Sequence, residues 1–239
     1  MEDTLRAHHE MWDRKPVLRL IYRDMFDRLA DACGPGPTLE IGAGLGKLKE
    51  RLPDVIASDI QFSPWLSLVA DAQNLPFRNR TFGNIVMIDV LHHVEFPLRF
   101  LRAAGQALRS GGRLVMVEPA ITWGSVLFYR YIHQEPVDMS AEIFAEGTPD
   151  PHRDPYAANQ AIPTLLARHR EEFHRLVPEL HISAISWFSF ATYPLSGGFK
   201  PWALLNERLA RNGLAIERRF EGLLGRSFGF RMLIVIERQ

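Results

Sequence analysis

The chain has 239 residues, of which 46% are hydrophobic and 23% charged, a composition that fits one soluble globular domain with a substantial core. Lys and Arg together number 28, as do Asp and Glu, so no net charge favours nucleic acid or an anionic membrane as a partner. The single cysteine, Cys33, excludes an internal disulfide bond, and the lack of a secretory signal or of an apolar run of ~18 residues leads us to expect a cytoplasmic location.

The first segment of the chain is predicted to be helical. Apolar side chains recur at helical spacing between residues 5 and 32, and Gly34-Pro35-Gly36-Pro37 ends the pattern. Within this segment, residues 8–15 either form a shorter piece that covers a site or begin a solvated helix.

From residue 38 the sequence alternates between short apolar segments and helical ones. The nearly all-apolar segment 84–88 is typical of a strand that is covered on both faces. Strands separated by helices and short loops specify a parallel sheet with right-handed crossovers. In chain order we predict strands at 38–41, 55–58, 66–70, 84–88 and 113–117, with helices from the glycine turn to Leu52 and over 97–108.

Beyond Pro119 prolines and aromatic residues break the periodicity, and an irregular insertion is predicted over 120–160. Regular structure resumes with predicted helices at 161–177 and 201–212 and strands at 182–190 and 230–236. We therefore predict one α/β domain, Rossmann-like and doubly wound, with a mostly parallel seven-stranded sheet, helices on both faces and an insertion after strand 5. Its parts are an N-terminal helical cap (1–37), a core (38–119), the insertion with strand 6 (120–200) and a final helix and strand (201–239).

The sharpest motif, Glu40-Ile41-Gly42-Ala43-Gly44-Leu45-Gly46, directly follows the first predicted strand. Glycines at such a turn let the backbone approach a ligand that a Cβ would block. The spacing differs from the G-x-G-x-x-G of dinucleotide sites, because Lys47 stands where the third glycine belongs. A phosphate loop ending in Gly-Lys-Ser/Thr is also absent. A nicotinamide-dependent oxidoreductase is therefore disfavoured.

This motif resembles the first motif of the class I S-adenosylmethionine-dependent methyltransferases, in particular the small-molecule enzymes of type 11. The resemblance continues in order through residues 38–119. It implies S-adenosyl-L-methionine as the cofactor, with Asp59 on both ribose hydroxyls and Asp71 on the adenine amino group. Glu40 is implied near the methionine amino group. The full set of implied cofactor-binding residues is Glu40, Gly42, Gly44, Gly46, Asp59, Ile60, Asp71, Ala72, Ile88 and Asp89.

The residue types suit such a cofactor. Ligands of open α/β sheets bind outside the carboxyl ends of the strands, where the glycine loop and the acids Asp59, Asp71 and Asp89 are predicted. Carboxylates accept hydrogen bonds without donating any, and they attract a sulfonium and an ammonium but repel phosphate. Taken singly, each piece has a structural alternative: Asp59 can cap a helix, and Gly111-Gly112 can stop one.

Methyl transfer is an in-line displacement at an activated carbon, so proximity and orientation supply much of the rate, up to ~7–11 kcal/mol. A general base adds ~10²–10⁴-fold for a hydroxyl acceptor. His93, after the fourth strand, is the candidate base, with His92 less favoured, and both can instead support their loop. Glu118, at the end of the fifth strand, either binds the acceptor or fixes the loop. No metal site is predicted, because the nine histidines show no recognised ligand spacing.

The acceptor pocket is expected from residues 8–15, 120–160 and 187–200. The aromatic segment 193–199 can line an apolar pocket, and Asn159-Gln160 offers an amide pair, unless Asn159 is a helix cap. The leading hypothesis is methylation, at oxygen in preference to carbon, of a small molecule with an apolar body or of a glycan- or lipid-linked precursor. The alternative is a catalytically silent methyltransferase-like binding subunit. Residues 121–132 can form a lid or contact a membrane surface, although Arg130 and the neutral net charge oppose membrane binding.

Overall fold

Two helices precede the sheet. The computed structural model of the protein describes residues 2–133 and 135–239. Its first elements are α1 (Glu2–Arg14) and α2 (Pro16–Ala32), which meet at Lys15. The helical prediction for this segment is confirmed. Pro16 explains the break, because proline is tolerated in the first turn of a helix but has no amide hydrogen with which to continue one.

The first half of the chain follows the predicted order of elements. Their bounds are β1 (Thr38–Ile41), β2 (Ile56–Asp59), β3 (Leu68–Val69), β4 (Phe82–Ile88), α3 (Pro97–Ala107) and β5 (Leu108–Pro119). The helix predicted from the glycine turn to Leu52 is wrong, and a single 3-10 turn, Lys47–Glu50, forms in its place. Pro53 accounts for this, since the residue before a proline is driven out of the α region.

The second half differs more from prediction. The helix expected at 161–177 is interrupted at His169, whose φ of −96° and ψ of 30° leave the helical region. The helix expected at 201–212 is wrong in both bounds, because it begins after its N-cap Asn206, which accepts from Leu209 N, and continues to Phe228. The observed elements are α4 (Val126–Tyr131), α5 (Ile162–Arg168), α6 (Arg170–Leu176), β6 (Leu180–Phe188), α7 (Thr192–Ser196), α8 (Glu207–Phe228) and β7 (Arg231–Arg238).

The glycines inside α8 explain why its full length was not predicted from the sequence, because a glycine inside a helix costs ~1 kcal/mol relative to alanine. Packing requires two of them. A Cβ on Gly225 would lie 2.3 Å from the carbonyl oxygen of Trp187, and a Cβ on Gly213 would lie 2.6 Å from Thr192 Oγ1. Close contact with β6 and α7 therefore outweighs the local preference of the sequence.

All seven strands belong to one sheet, in the order β3-β2-β1-β4-β5-β7-β6. Neighbouring strands are parallel except at β7, which runs antiparallel to both β5 and β6. The order reverses between β1 and β4, and a crevice forms at such a point outside the carboxyl ends of the strands. The predicted fold class, a Rossmann-like, doubly wound and mostly parallel α/β sheet, is confirmed.

Helices cover both faces of the sheet. One apolar cluster packs α3, α5 and α6 against one face, and a second packs α1 and α2 against the other. Successive residues of β4 alternate between them: Ile85 and Met87 belong to the first cluster and Val86 to the second, as the two-residue period of a strand requires. Among the described residues, no helix combines the length and apolar character needed to cross a membrane.

One side chain ties the N-terminal helices to the segment that follows α7. Lys15 is buried, and its Nζ donates to the carbonyl oxygens of Gly198, Lys200 and Trp202 at 2.7, 2.8 and 2.8 Å. An ammonium has three donors, and each is used here. Lys15 therefore fixes the position of residues 198–202 against the helical cap.

Replacing Lys15 with methionine is expected to destabilise the fold by ~1.5–3 kcal/mol, because three carbonyl groups lose a charged donor while the apolar stem is retained. Urea unfolding followed by circular dichroism measures the change. Arg14→Met is the matched control: the Arg14 side chain is 78% exposed, and its loss should change stability by no more than ~0.5 kcal/mol. Equal stabilities of the two variants would contradict the anchoring role.

Candidate functional site

A cavity of about 960 Å³ lies at the carboxyl ends of β1, β2 and β4. Its glycine-loop end is lined by residues 40–45 together with Asp59 and Asp71. Its turn end is lined by Asp89, by His92 and His93 from the turn after β4, and by aromatic side chains that include Tyr193. Because the two ends belong to one cavity, ligands bound at each can touch.

The glycine loop has the backbone conformation that its sequence predicts. Gly42 and Gly44 have φ angles of 69° and 46°, in the left-handed region that favours glycine. A Cβ on Gly42 would lie 2.2 Å from a methyl carbon of Val90, whereas a Cβ on Gly44 would have no neighbour within 4 Å. Gly42 is thus required by packing, and Gly44 leaves the cavity wall open to a ligand. Gly46 packs against Trp65 and lies outside the cavity lining.

Asp59, the last residue of β2, faces the glycine loop. Its Oδ2 accepts a hydrogen bond from Gly44 N at 2.9 Å, and its Oδ1 accepts one from Gln61 N at 2.9 Å. Each carboxylate oxygen has two lone pairs, so one on each oxygen remains for a further donor. Two neighbouring sugar hydroxyls match that arrangement.

Asp71 begins the next lining segment. Its Oδ1 accepts from Gln73 N at 2.8 Å and caps the 3-10 turn Ala72–Asn74. Ala72, the next residue, also lines the cavity. So does Ile60, which follows Asp59 and is 55% exposed. Small and apolar surfaces beside a carboxylate suit a flat ring that carries a donor at its edge.

Glu40, in β1, is the buried carboxyl group of the cavity. It is 7% exposed, and its Oε2 has no hydrogen-bond partner among the described residues. Burial raises the pKa of Glu40 to about 8, an effect that Lys49 opposes and Asp59 reinforces. A buried acceptor without a donor is costly, and a cationic group bound beside Glu40 would favour release of its proton, so the cation and the carboxylate would stabilise each other. The ammonium of the implied cofactor fits this position.

Ile88 and Asp89 line the cavity where β4 ends. The Asp89 carboxylate pairs with the Arg231 guanidinium. The same carboxylate accepts a hydrogen bond from the Tyr22 hydroxyl at 3.5 Å. Arg231 also donates to the Tyr193 hydroxyl, while its buried Nε has no partner among the described residues. Neither Arg231 nor Tyr22 was predicted from the sequence. The available signal for Arg231 was a charged residue directly before five apolar residues of β7.

Glu118 holds the turn that follows β4. The carboxylate is fully buried, and its Oε1 accepts from the amides of Val90 and Leu91 at 2.9 and 2.7 Å. Its Oε2 lies 2.7 Å from His92 Nδ1. Burial lowers the pKa of His92, but the hydrogen bond and charge of Glu118 outweigh burial and raise it to about 9. Glu118 lies outside the cavity lining, so of its two predicted roles the geometry matches fixing the loop.

His93 and Glu135 lie next to His92 at the turn end. The His93 ring centroid is 4.2 Å from that of His92, and its buried Nδ1 has no partner among the described residues. Burial lowers the pKa of His93, which keeps the ring neutral near pH 7. Glu135 Oε2 lies 3.6 Å from His92 Nε2. Burial raises the pKa of Glu135, but its hydrogen bond to His92 and the charge of that ring lower it to about 2.

The predicted acceptor segments meet at the turn end. Tyr193, in α7, and Phe199, just beyond it, both line the cavity. Phe199 stacks on His8 of α1, with ring centroids 4.4 Å apart. Side chains from the N-terminal cap and from the segment after β6 therefore form one wall.

The predicted amide pair divides between two roles. Asn159 Oδ1 accepts from the backbone amides of Ala161 and Asp138 at 3.0 and 2.9 Å, so it holds the loop before α5, but it is not the helix cap, which is Ala161. Gln160 lines the cavity, and its Nε2 donates to Glu135. Gln160 therefore orients Glu135, a residue that the sequence analysis did not single out because it lies in the irregular insertion.

Comparison with protein families matches residues 39–116 to a model described as a methyltransferase domain. The match runs from β1 into β5 and so includes the glycine loop, Asp59, Asp71 and the turn after β4. Curated protein sequences give no significant match. Over this segment the predicted resemblance to the class I S-adenosylmethionine-dependent methyltransferases is confirmed, and with it the assignment as an enzyme and the cofactor.

Solved structures share the fold at low sequence identity. A SAM-dependent methyltransferase from Thermotoga maritima is similar with a TM-score of 0.59 and 16% identity over 98% of each chain. Another from Archaeoglobus fulgidus gives 0.56 and 16%, covering 93% of this chain and 94% of that one. A chain from the complex of the Haloferax volcanii Trm112 methyltransferase activator with a methyltransferase gives 0.54 and 14%, covering 99% and 94%. At such identities the similarity establishes the fold and carries no acceptor with it.

Replacing Glu40 with glutamine is expected to stabilise the ligand-free protein increasingly between about pH 5 and pH 8. The folded state keeps its proton up to a pKa of about 8, whereas an exposed glutamate releases it near 4.5. Stability is therefore lost from the wild type as pH rises through this window, and glutamine cannot ionise. The gain should be on the order of 4 kcal/mol at the upper end.

Urea unfolding at the two pH values measures the difference in the free energy of unfolding. Asp54→Asn, at an exposed position in the loop before β2, is the control for replacing a surface carboxylate with its amide. A difference for Glu40→Gln that stays constant with pH would contradict a buried carboxyl group that holds its proton.

Proposed function

We propose that this chain, a class I S-adenosylmethionine-dependent methyltransferase, transfers a methyl group in the cytoplasm to an oxygen of an acceptor with an apolar body. The acceptor is a small molecule or a glycan- or lipid-linked precursor. The observation that carries the proposal is the single cavity in which a glycine-loop end lined by carboxylates continues into an aromatic turn end. A cofactor and an acceptor bound in it would lie in contact.

S-adenosyl-L-methionine supplies an electrophilic methyl group when it is bound at the glycine-loop end. Asp59 keeps a free lone pair on each oxygen for the two ribose hydroxyls. Asp71 and Ala72 are positioned for the adenine, and Glu40 presents a buried carboxyl group to the ammonium. By fixing the orientation of one reactant against the other, these residues supply the proximity term of up to ~7–11 kcal/mol.

The walls of the turn end favour an acceptor with an apolar body. Tyr193, Phe199 and Phe128 contribute aromatic surface, and Pro194 adds an aliphatic one. Several of the polar groups among them are held in place by hydrogen bonds, as in the Asp89–Arg231–Tyr193 network. Apolar walls with a few fixed polar groups are typical of sites for small organic ligands.

An acceptor hydroxyl must lose its proton when it is methylated, and a base beside it would assist that loss. Oxygen is the proposed methylation atom because the turn end holds such a base. His93 is neutral near pH 7, lines the turn end and has an unpaired ring nitrogen. A neutral imidazole in contact with the acceptor can assist that proton loss. His92 cannot do so while it is held by Glu118, so its role is to position the turn.

Replacing Asp59 with alanine is expected to weaken binding of S-adenosylhomocysteine by roughly 10- to 100-fold, because a charge-assisted hydrogen bond contributes ~1.5–3 kcal/mol. Isothermal titration calorimetry measures the affinity. Asp59→Asn tests whether loss of the charge alone is sufficient to weaken this binding. Asp54→Ala is the matched control on the surface. Unchanged affinity in Asp59→Ala would remove the ribose assignment.

The wild-type titration also tests the function as a whole. Binding of S-adenosylhomocysteine, and none of NAD, is the expected result. A wild-type protein that binds neither would behave as the catalytically silent subunit, and one that binds NAD alone would revive the oxidoreductase hypothesis.

His93→Ala is expected to lower kcat by ~10²–10⁴-fold and to leave S-adenosylhomocysteine affinity unchanged. An acceptor is first found by screening hydroxylated aromatic and lipid-linked compounds for release of S-adenosylhomocysteine by the wild type. NMR of the methylated product then identifies the atom that carries the new methyl group. A wild-type rate in His93→Ala would end the role of this side chain, and a product methylated at nitrogen or carbon would contradict the choice of oxygen.

A further inference from the structure

Three side chains at the turn end, His92, His93 and Glu135, form what we call the His–His–Glu cluster. Their ligand atoms, one from each side chain, lie within 4.8 Å of one another. His92 Nε2 and Glu135 Oε2 are 3.6 Å apart. Two imidazoles and one carboxylate are a ligand set that suits divalent first-row transition metals and leaves coordination positions open.

His92 is held in the orientation that metal ligation requires. Its Nδ1 lies 2.7 Å from the Glu118 carboxylate, which is itself fixed by two backbone amides. When an ion displaces the proton of Nε2, the remaining proton stays on Nδ1 beside Glu118, and the lone pair of Nε2 lies on the side of Glu135. An imidazole supported on its far side by a buried carboxylate is the usual arrangement of a metal-binding histidine.

The other two members of the cluster are also oriented for a ligand. Gln160, which is 2% exposed, donates to Glu135 from its amide. His93 carries a buried ring nitrogen that has no partner among the described residues, and such a group is costly to leave unpaired. All three members line the cavity, so an ion held by them would contact a ligand at the turn end.

We propose that the His–His–Glu cluster binds one divalent transition-metal ion whose open positions face the acceptor. The site follows from the geometry of the cluster, whereas its role rests on the proposed function. An acceptor hydroxyl bound to the ion would have its pKa lowered and its oxygen fixed in place. Its proton would pass to water before the methyl group moves from sulfur to oxygen, so His93 would act as a ligand and not as the base. The acceptor class is then a compound whose hydroxyl oxygen can ligate a metal.

The competing arrangement is a metal-free cluster in which His92 bridges Glu118 and Glu135 as an ion pair. Titration with Co²⁺ distinguishes the two, because bound Co²⁺ absorbs visible light in a way that depends on its ligands. The protein is prepared without a polyhistidine tag, treated with EDTA, and titrated with CoCl₂ by absorption and calorimetry. We expect one bound Co²⁺ per chain, displaced by Zn²⁺. Absence of saturable binding would overturn the proposal.

Variants locate the ion. Glu135→Gln and His93→Ala each remove one ligand and should weaken Co²⁺ binding by at least about tenfold, while Glu118→Gln, which loosens the support of His92, should weaken it by ~10–100-fold. His152→Ala, at an exposed histidine, is the matched control and should bind Co²⁺ as the wild type does. If the ligand variants bind like the control, the ion lies elsewhere and the proposal fails.

S-adenosylhomocysteine affinity, measured on the same samples, separates this inference from the proposed function. A variant that keeps this affinity is folded, so its loss of Co²⁺ reports the cluster itself. Co²⁺ binding at the cluster without S-adenosylhomocysteine binding would leave the metal site standing and the function refuted. The reverse result would refute the metal site and leave the function intact.

Discussion

The reversal of strand order between β1 and β4 is the constraint on which the rest of the site depends. Strands added in opposite directions from this point leave their crossovers on opposite faces, and the carboxyl ends between them stay uncovered. Glu40, Gly42 and Asp89 project from this gap because they stand at the ends of β1 and β4. Asp59 joins them because β2 is the next parallel neighbour. The crevice is therefore a property of topology, and the side chains determine what it accepts.

Two buried carboxyl groups near this crevice have opposite roles, and only Glu40 lines it. Glu118 is saturated by two amides and one imidazole, so it gives rigidity to the turn that carries His92 and His93. Glu40 has an oxygen without a donor and a pKa near 8, so it stores binding potential for a cation at the expense of stability in the ligand-free state. Burial alone does not distinguish these roles; the number of donors around each carboxylate does.

The sequence predicts the cofactor half of the molecule well, since glycines and acids placed directly after strands leave few alternatives. The sheet, its order of elements and the family followed from residues 38–119, and the family match covers nearly the same segment. The prediction failed where tertiary contacts determine the length of a helix or bring a residue to the cavity. Gly213 and Gly225 make α8 look discontinuous although packing demands them, and Glu135 and Arg231 reach the cavity from segments without periodic or motif signals. Positions brought together across more than forty residues have no local signature.

The placement of β7 has a consequence for synthesis on the ribosome. β6 pairs with β7 alone in the described sheet, and β7 lies between β6 and β5. A nascent chain that has emerged only as far as β6 therefore has no strand with which β6 can pair. Asp89 also lacks its partner at that stage, because Arg231 is the first residue of β7. The turn end of the cavity is therefore completed only after β7 has paired with β5, whereas its glycine-loop end depends on strands that precede β7 in the chain.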